Sequence, residues 1–415
     1  MRLLHTSDWH LGQEFYRHDR AFEHARFLSW LKATILEQKV DVLLISGDLY
    51  DTSNPPASAQ RLFYNFVREV KEVAKDLVIV AAAGNHDSPA RFEIPAELFE
   101  SFNAHVVGRV TSTAEGLSAT ENFLIPLHRP GSSKPAAVCL ALPYLRAADI
   151  YWPGEAISYP EAVTRAYMQG IAQARKIYGA HVPLIALGHM HASGGQVSEE
   201  SERKLVIGGE EAVALGGVAP EFIYIALGHL HLAQEVGGLN FVRYSGSPLP
   251  MSFSEINYRH QVLLVDLEES GEAKIQSLLV PRSVEMLRIP MKAAPLDDVV
   301  KALRSLQLPE CTLEERPFLE VHVQIEGPTP DMRARIDEAL KDVPVRLARI
   351  VPSRLAGSVA DAAEPQLVGL ENLRSIDPVV VFKKIHERDY GTEPAAELTR
   401  LFAEVTLEVS GGDEQ

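Results

Sequence analysis

Six short apolar segments in the first 250 residues each end in polar or glycine-containing clusters, and this recurrence restricts the folds open to the chain. The segments are RLLHTSDWH, VDVLLISGDLYD, LVIVAAAGNHD, VPLIALGHMH, FIYIALGHLH and FVRYSGSP. An unbroken apolar run such as residues 77–83 is typical of a strand buried on both faces. Amphipathic stretches such as SAQRLFYNFVREVKEVAK separate the first three segments. The alternation predicts βαβ units of an α/β fold, with the polar clusters collected at the carboxyl ends of the strands.

The chain has 415 residues, which is more than one core usually organises, and its pattern changes along its length. Residues 1–280 carry the strand-and-cluster pattern, and HQVLLVDLEESGEAKIQSLLV predicts a hairpin of a second sheet packed on the first. Residues 281–352 alternate strand and helix and predict a small α+β domain. An Ala/Gly-rich linker is predicted over 353–370, and two short amphipathic helices over 371–415.

Composition excludes several classes of protein. Hydrophobic residues make up 46% of the chain and charged residues 23%, as in soluble globular proteins. The longest apolar runs fall far short of the roughly 20 residues that cross a bilayer, and the N-terminus has no signal-peptide pattern. Two distant cysteines, Cys139 and Cys311, exclude a zinc-finger framework and favour a reducing cytoplasm. The net charge of −16 argues against binding nucleic acid by bulk charge.

The polar clusters contain the donor types of a metal centre. Carboxylate, carboxamide and imidazole groups together suit Mn, Fe or Mg rather than structural zinc. Seven such ligands are too many for one ion with an open position, but they suffice for two ions about 4 Å apart that share one carboxylate. Asp48 is the expected bridge because its segment lies centrally in the series. The seven candidates are Asp8, His10, Asp48, Asn85, His189, His229 and His231.

His86 follows Asn85 and is expected to point at the substrate rather than at an ion. Asp51 lies three residues after Asp48, and its carboxylate is expected to accept the other ring N–H of His86. Such a contact raises basicity and makes His86 a candidate acid for the leaving oxygen. We expect His191 and Asp87 to lie outside the ligand set, and His5, His18, His24 and His128 to be structural.

The motif order resembles the calcineurin-like metallophosphoesterase superfamily. The stretches HTSDWHLG, SGDLYD, GNHDSP, GHLH and YSGSPLPMSFSE further resemble the SbcD family of bacterial nuclease subunits. The resemblance covers residues 1–280 and implies a four-layer α/β/β/α sandwich with two Mn²⁺ ions, or Mg²⁺ or Fe²⁺ as alternatives. It implies one ion held by Asp8, His10, Asp48 and His231, and a second held by Asp48, Asn85, His189 and His229.

The family resemblance also implies a reaction and partners. Its members hydrolyse DNA as exonucleases on double-stranded ends and as endonucleases on single strands and hairpins, in repair and recombination. It implies a cap formed by residues 281–352, and an SbcC-type coiled-coil ATPase gripped by the C-terminal helices. A homodimer through residues 58–75 and 91–103, within a heterotetramer, and a cytoplasmic, nucleoid-associated location are also expected.

DNA contacts and alternative functions remain open from the sequence. The candidate phosphate contacts are Arg17, Arg20 and Arg91, and because basic residues are dispersed we expect weak, salt-sensitive DNA binding by this chain alone. A small-molecule phosphodiesterase or phosphatase of the same superfamily is the alternative enzyme. A scaffold without catalytic activity is disfavoured because the ligand set is intact.

Overall fold

The computed structural model describes residues 1–113, 116–118, 123–129, 131–150, 157–196, 212–268, 272–327 and 329–354, with four isolated positions beyond. The chain forms two compact units, Met1–Arg354 and Leu355–Gln415. The helices predicted over 371–415 lie outside the described residues except at those four positions. The linker predicted over 353–370 also lies outside them, except for residues 353 and 354, which belong to the last strand.

The strands of the described residues are, in chain order, β1 (Arg2–Thr6), β2 (Glu14–Phe15), β3 (His18–Asp19), β4 (Val42–Ser46), β5 (Val78–Ala82), β6 (Ala104–Val107), β7 (Ser112–Thr113), β8 (Gly116–Leu117), β9 (Leu124–His128), β10 (Pro135–Ala141), β11 (Leu184–His189), β12 (Tyr224–Gly228), β13 (Gln234–Val236), β14 (Leu239–Tyr244), β15 (Gln261–Leu267), β16 (Ala273–Leu279), β17 (Met286–Pro295), β18 (Phe318–Ile325) and β19 (Arg346–Arg354). The α-helices are α1 (Ala21–Glu37), α2 (Ala57–Val73), α3 (Pro89–Glu93), α4 (Ala96–Glu100), α5 (Tyr159–Tyr178), α6 (Leu296–Arg304) and α7 (Met332–Ala339). No helix of the described residues is long and apolar enough to cross a membrane.

Two six-stranded sheets form the centre of the first unit. The first sheet has the order β16-β15-β1-β4-β5-β6 and the second β13-β14-β12-β11-β10-β9. Each contains four adjacent parallel strands, namely β1, β4, β5 and β6 in the first and β14, β12, β11 and β10 in the second. Parallel strands direct their carboxyl ends to one edge, so the polar clusters of each sheet are brought together.

Apolar side chains divide the sheets into faces, because successive residues of a strand point to opposite sides. Leu3, Leu44 and Val80 of the first sheet belong to one core cluster with the strands of the second sheet and α5. Leu4 and Leu43 point the other way and join the cluster of α1 and α2. The layers are therefore helix, sheet, sheet and helix, which confirms the expected four-layer sandwich.

The predicted hairpin of residues 260–280 is present, but its place in a second sheet is wrong. Strand β15 pairs antiparallel with β1, and β16 extends the same first sheet. Residues Val262 to Val265 are almost completely buried, since β15 is covered on both faces. A strand with two apolar faces belongs inside a sheet rather than at an exposed edge, and this position shields β1.

The small C-terminal sheet of this unit has three parallel strands, β17, β18 and β19, and α6 and α7 form the crossovers. Its own apolar cluster includes Leu303, Val321 and Ile336. An aromatic contact joins it to the β2–β3 hairpin, since Phe318 lies 4.6 Å from Phe15 between ring centroids. The boundary at residue 280 stays a prediction, because contacts hold residues 1–354 in one unit.

Two buried histidines make the fold sensitive to acid. Burial lowers the pKa of His24 to about 3, and burial likewise lowers the pKa of His5 to about 3. At a pH below about 6.5, the ordinary pKa of histidine, each of these side chains is protonated in the unfolded chain but stays neutral in the folded chain. The stability that is fully present above pH 6.5 is therefore lost progressively as the pH falls toward 3.

We predict that His24→Asn lowers stability at pH 8 but makes it less dependent on pH. Between pH 6.5 and 5, the wild type loses about 2 kcal/mol through His24 alone, and the variant lacks this loss. Urea midpoints at pH 8 and pH 5 measure the difference, with the exposed His181→Asn as control. An equal loss on acidification in wild type and His24→Asn would contradict the assignment.

Candidate metal centre

Loops from both sheets bring seven potential metal ligands together at the carboxyl ends of the parallel strands. Asp8 and His10 follow β1, Asp48 follows β4 and Asn85 follows β5 in the first sheet. His189 ends β11, and His229 and His231 follow β12 in the second sheet. Ligand atoms lie within 4.8 Å of one another in the groups Asp8, His10 and His231, and Asp8, Asp48 and His189.

The Asp48 carboxylate lies at the centre of the group. Its Oδ2 is 3.4 Å from Nε2 of His189 and 3.7 Å from Nε2 of His10. Its Oδ1 accepts the main-chain N–H of His86 at 2.8 Å. A carboxylate that faces imidazoles of both sheets has the position that a bridging ligand requires.

The Asn85 carboxamide faces the second sheet. Its Oδ1 lies 2.9 Å from Nε2 of His189 and 3.1 Å from Nδ1 of His229. The Asp8 carboxylate accepts Ser7 Oγ–H at 2.5 Å and the main-chain N–H of His229 at 3.0 Å. Side chains and main chain of both sheets therefore meet around Asp8, Asp48 and Asn85.

Several of these residues have left-handed backbone conformations. The φ angles are 55° at Asp8, 45° at His10, 47° at Asp48 and 105° at His229. Residues other than glycine adopt such angles at a cost of about 1–3 kcal/mol each and cluster at functional sites. The strained positions aim the side chains inward from the ends of straight strands.

Two glycines before the ligands are required by close approach of neighbouring loops. A Cβ at position 84 would lie 2.1 Å from Asp48 Oδ1 and 2.2 Å from the main-chain nitrogen of that residue. At Gly47, where φ is +84°, a Cβ would lie 2.1 Å from Nδ1 of His189. Gly84 therefore makes room for Asp48, and Gly47 makes room for His189.

Three imidazoles of the site have Nδ1 hydrogen-bonded to an oxygen that lies outside the seven candidate ligands. His189 Nδ1 lies 2.8 Å from Ser46 O, His86 Nδ1 lies 2.7 Å from Asp51 O, and His231 Nδ1 lies 3.0 Å from Glu255 Oε1. Carbonyl and carboxylate oxygens can only accept, so each Nδ1 carries a proton. In the neutral ring Nε2 then has the lone pair that binds a metal or accepts a proton.

The predicted role of the Asp51 carboxylate needs correction. The atom of Asp51 that accepts from His86 is its main-chain oxygen, whereas carboxylate Oδ1 lies 3.3 Å from Nδ1 of His10. Left-handed φ at Asp48 turns the chain so that the carbonyl three residues later faces His86. His86 is therefore oriented by the main chain.

The charges at the centre depend on one another. Burial alone raises the pKa of Asp48, but attraction to His189 and a hydrogen bond with it, together with His10 and His86, bring this pKa well below its ordinary value. Burial lowers the pKa of His189, but attraction to Asp48 and a hydrogen bond with it, together with Asp8 and the main chain of Ser46, raise this pKa to about 9. Removal from water and repulsion by His189 lower the pKa of His229 to about 3, and burial raises the pKa of Asp8.

The donor set fits divalent cations. Nε2 of His10 is buried and has no hydrogen-bond partner among the described residues, and an unsatisfied buried nitrogen is unfavourable unless a ligand occupies it. Carboxylate, carboxamide and imidazole donors together are those of Mn, Fe and Mg centres. His10, Asp8 and Asp48 are each at most 3% exposed, so water alone does not stabilise their charges.

The three arginines predicted to contact DNA differ in their surroundings. Arg17 and Arg91 are exposed. Arg20 is 1% exposed, and its guanidinium binds both oxygens of Glu23, Gln13 Oε1 and Pro250 O. The prediction that Arg20 contacts DNA is wrong, because its donors are used inside the protein.

Two residues near the site have roles that the sequence pattern did not identify. The buried carboxylate of Asp87 accepts three main-chain N–H groups, from Gly84, Leu49 and Tyr50, and so joins the loops after β4 and β5. Burial and the nearby Asp48 raise its pKa to about 6. Glu255 holds His231, and its signal in the sequence was only an acidic residue in an otherwise apolar and serine-rich stretch.

Comparison with protein families gives two matches. Residues 1–233 match the calcineurin-like phosphoesterase family, and residues 282–390 match the type 5 capsule protein repressor C-terminal domain. The first match covers more than half of the chain and contains all seven candidate ligands.

Curated relatives are similar along most of their length. The SbcD subunit of the nuclease SbcCD from Rhodobacter capsulatus is 39% identical over 88% of this chain and 91% of the relative. The Escherichia coli protein of the same name is 32% identical over 85% of this chain and 86% of the relative. The Bacillus subtilis protein of the same name is 32% identical over 68% of this chain and 70% of the relative.

We predict that Gly84→Ala disrupts the centre. The added methyl group meets both the side chain and the main chain of Asp48, and overpacking of this kind costs about 1–3 kcal/mol. We expect a lower urea midpoint and weaker Mn²⁺ binding by calorimetry. Gly216→Ala is the matched control, because nothing lies within 4 Å of its added Cβ. Wild-type Mn²⁺ affinity in Gly84→Ala would contradict the prediction.

Proposed function

The chain belongs to the calcineurin-like phosphoesterases and, within them, to the SbcD family of SbcCD nuclease subunits, and we propose that it hydrolyses DNA phosphodiester bonds at a centre of two divalent cations. As a member of this family it is a hydrolytic nuclease subunit. The observation that carries the proposal is the buried Asp48 carboxylate, which faces His10 and His189 from different sheets, as a carboxylate shared by two cations would.

The ligand assignment is part of the proposal. One cation position is formed by Asp8, His10, Asp48 and His231, and the other by Asp48, Asn85, His189 and His229. The contacts of Asp48 with His10 and His189, and of Asn85 with His189 and His229, support this division. The centre fits divalent metals, and we propose Mn²⁺, since the mixed donor set suits a borderline ion.

The reaction needs a nucleophile and a proton for the leaving oxygen. When bound, a pair of divalent cations lowers the pKa of an attacking water molecule and neutralises charge that develops on the phosphoryl oxygens. His86 has Nδ1–H held by the Asp51 carbonyl, so in its imidazolium form the second proton is on Nε2. Nε2 gives this proton to the departing 3′-oxygen, which leaves the neutral ring with Nδ1–H. The main-chain N–H of His86 holds Asp48, which links the position of the acid to that of the shared carboxylate.

The substrate that we propose is a DNA end or hairpin, together with single-stranded DNA. Its backbone would be met by the exposed Arg17 and Arg91, on a chain whose net charge is −16. Phosphate contacts normally come from clustered lysine and arginine. Binding by this chain alone is therefore expected to be weak and salt-sensitive, and bound cations add positive charge where the substrate reacts.

The complex that we propose contains an SbcC-type coiled-coil ATPase, bound by the segment 371–415, and two copies of this chain. An exposed apolar surface on α3–α4 and the residues that follow supports the dimer, since Ile94 is 75%, Leu98 62% and Phe102 45% exposed. Apolar residues that remain exposed together often mark protein interfaces. A cytoplasmic, nucleoid-associated location and a role in DNA repair and recombination belong to the same proposal.

The function is tested by comparing substrates. We expect the chain, with Mn²⁺, to cleave hairpin DNA and double-stranded ends, to act much less on a chromogenic phosphate ester, and to lose activity with a chelator. The coiled-coil ATPase is added in a parallel series. Faster turnover of the small ester than of DNA in both series would instead establish a small-molecule phosphoesterase, and no turnover of either substrate would establish a scaffold.

We predict that His86→Asn lowers DNA hydrolysis by about 10²–10⁴-fold, the usual contribution of a general acid, while Mn²⁺ content stays at the wild-type value. Asp51→Asn keeps the main-chain carbonyl that orients His86, so we expect a loss of less than about 10-fold. Rates under single-turnover conditions and metal content by mass spectrometry are measured for both. A loss in Asp51→Asn as large as in His86→Asn, at equal metal content, would show that the carboxylate is the essential partner.

A further inference from the structure

We propose that Glu255 is a positioning residue of the metal centre, which fixes the imidazole of His231 in the orientation and tautomer that bind a cation. The inference rests on the proposed two-cation function and assigns a residue outside the ligand set. Glu255 lies in the short 3₁₀ turn Phe253–Glu255, beyond the residues matched by the phosphoesterase family.

The carboxylate of Glu255 is held at both oxygens. It is 0% exposed; Oε1 lies 3.0 Å from His231 Nδ1, and Oε2 accepts the main-chain N–H of Met251 at 2.8 Å. A carboxylate held in this way cannot rotate away from the imidazole without losing a second hydrogen bond in a buried place. Its negative charge also increases the electron density that His231 offers at Nε2.

Glu255 holds its imidazole through a side chain, as does Asp51, whose carboxylate lies 3.3 Å from Nδ1 of His10. His189 and His86 have Nδ1 held by main-chain carbonyl oxygens, which every residue type supplies. At His231 the acceptor depends on the residue type at position 255. The orientation of this ligand is therefore encoded by a second residue, far from it in sequence.

The turn that carries Glu255 is fixed by three arginines from different parts of the chain. Arg20 donates to Pro250 O at 2.7 Å, Arg288 to Phe253 O at 3.0 Å and Arg282 to Ile256 O at 2.9 Å. Charge-assisted hydrogen bonds of this kind are stronger than neutral ones. They hold the main chain on both sides of Glu255, so its carboxylate is presented to His231 from a rigid support.

The test measures cation binding in the absence of DNA. Manganese binding to the full chain is followed by the electron paramagnetic resonance signal of free Mn²⁺, for wild type, Glu255→Ala and Glu255→Gln. We expect two bound ions in the wild type, and in Glu255→Ala one of the two bound about 10–100-fold more weakly, as is usual when the partner of a ligating histidine is removed. Glu255→Gln keeps one acceptor oxygen where the carboxylate offers two, and we expect an affinity between those of Glu255→Ala and the wild type.

The matched control is Asp41→Asn. Asp41 is a half-buried carboxylate that accepts the main-chain N–H of Arg2 at 2.7 Å, where β1 and β4 begin, whereas the metal ligands follow the other ends of these strands. We expect it to lower the urea midpoint and leave both manganese affinities unchanged. We also expect high Mn²⁺ to restore DNA hydrolysis by Glu255→Ala, which would not happen if the variant had only lost structure.

Three results would overturn the inference: wild-type affinity for both ions in Glu255→Ala, equal weakening in Asp41→Asn, or no more affinity in Glu255→Gln than in Glu255→Ala. The inference fails separately from the proposed function. A wild-type chain that binds two ions but does not cleave DNA would contradict the function alone, whereas normal cleavage with unchanged affinities in the variants would contradict the role of Glu255 alone.

Discussion

A buried carboxylate, Asp48, imposes the main constraint on this structure. It is 2% exposed and has His10 and His189 near one oxygen and the main-chain N–H of His86 on the other. An ionised carboxylate removed from water is very unfavourable unless charged or hydrogen-bonding partners surround it. Here the partners come from three loops of two sheets, so the charge of one side chain depends on the packing of both.

The close approach of the two sheets at their strand ends follows from this arrangement. A Cβ at Gly228, at the end of β12, would lie 1.8 Å from Ser46 O at the end of β4. Ser46 O is also the acceptor for His189 Nδ1. The glycines that precede the ligands are therefore required by packing. They allow the main chains of the two sheets to approach closely, so that candidate ligands from both sheets meet at one place.

The convergence of the ligands could be predicted because the carboxyl ends of parallel strands lie at one edge of a sheet. The pattern of an apolar strand followed by a polar cluster is local, so it can be recognised without knowing which strands pair. The partner of the β15–β16 hairpin was missed because pairing with β1 depends on the tertiary fold rather than on local pattern. The contact between His86 and Asp51 was assigned to the wrong atom, since a sequence shows side chains but not where carbonyl groups point. Arg20 was misjudged because its partner Pro250 lies in a distant loop.

Several arginines of this protein are used for internal hydrogen bonds, which limits the positive charge available for binding DNA. Arg20, Arg282 and Arg288 each donate to main-chain carbonyls of the loop that carries Glu255. Guanidinium groups engaged in this way stabilise the metal centre but are not available to phosphates. With a net charge of −16, attraction of DNA to the site must then come chiefly from bound cations and from associated chains. In the proposed function, binding of DNA by this chain is therefore expected to increase when the cation positions are occupied.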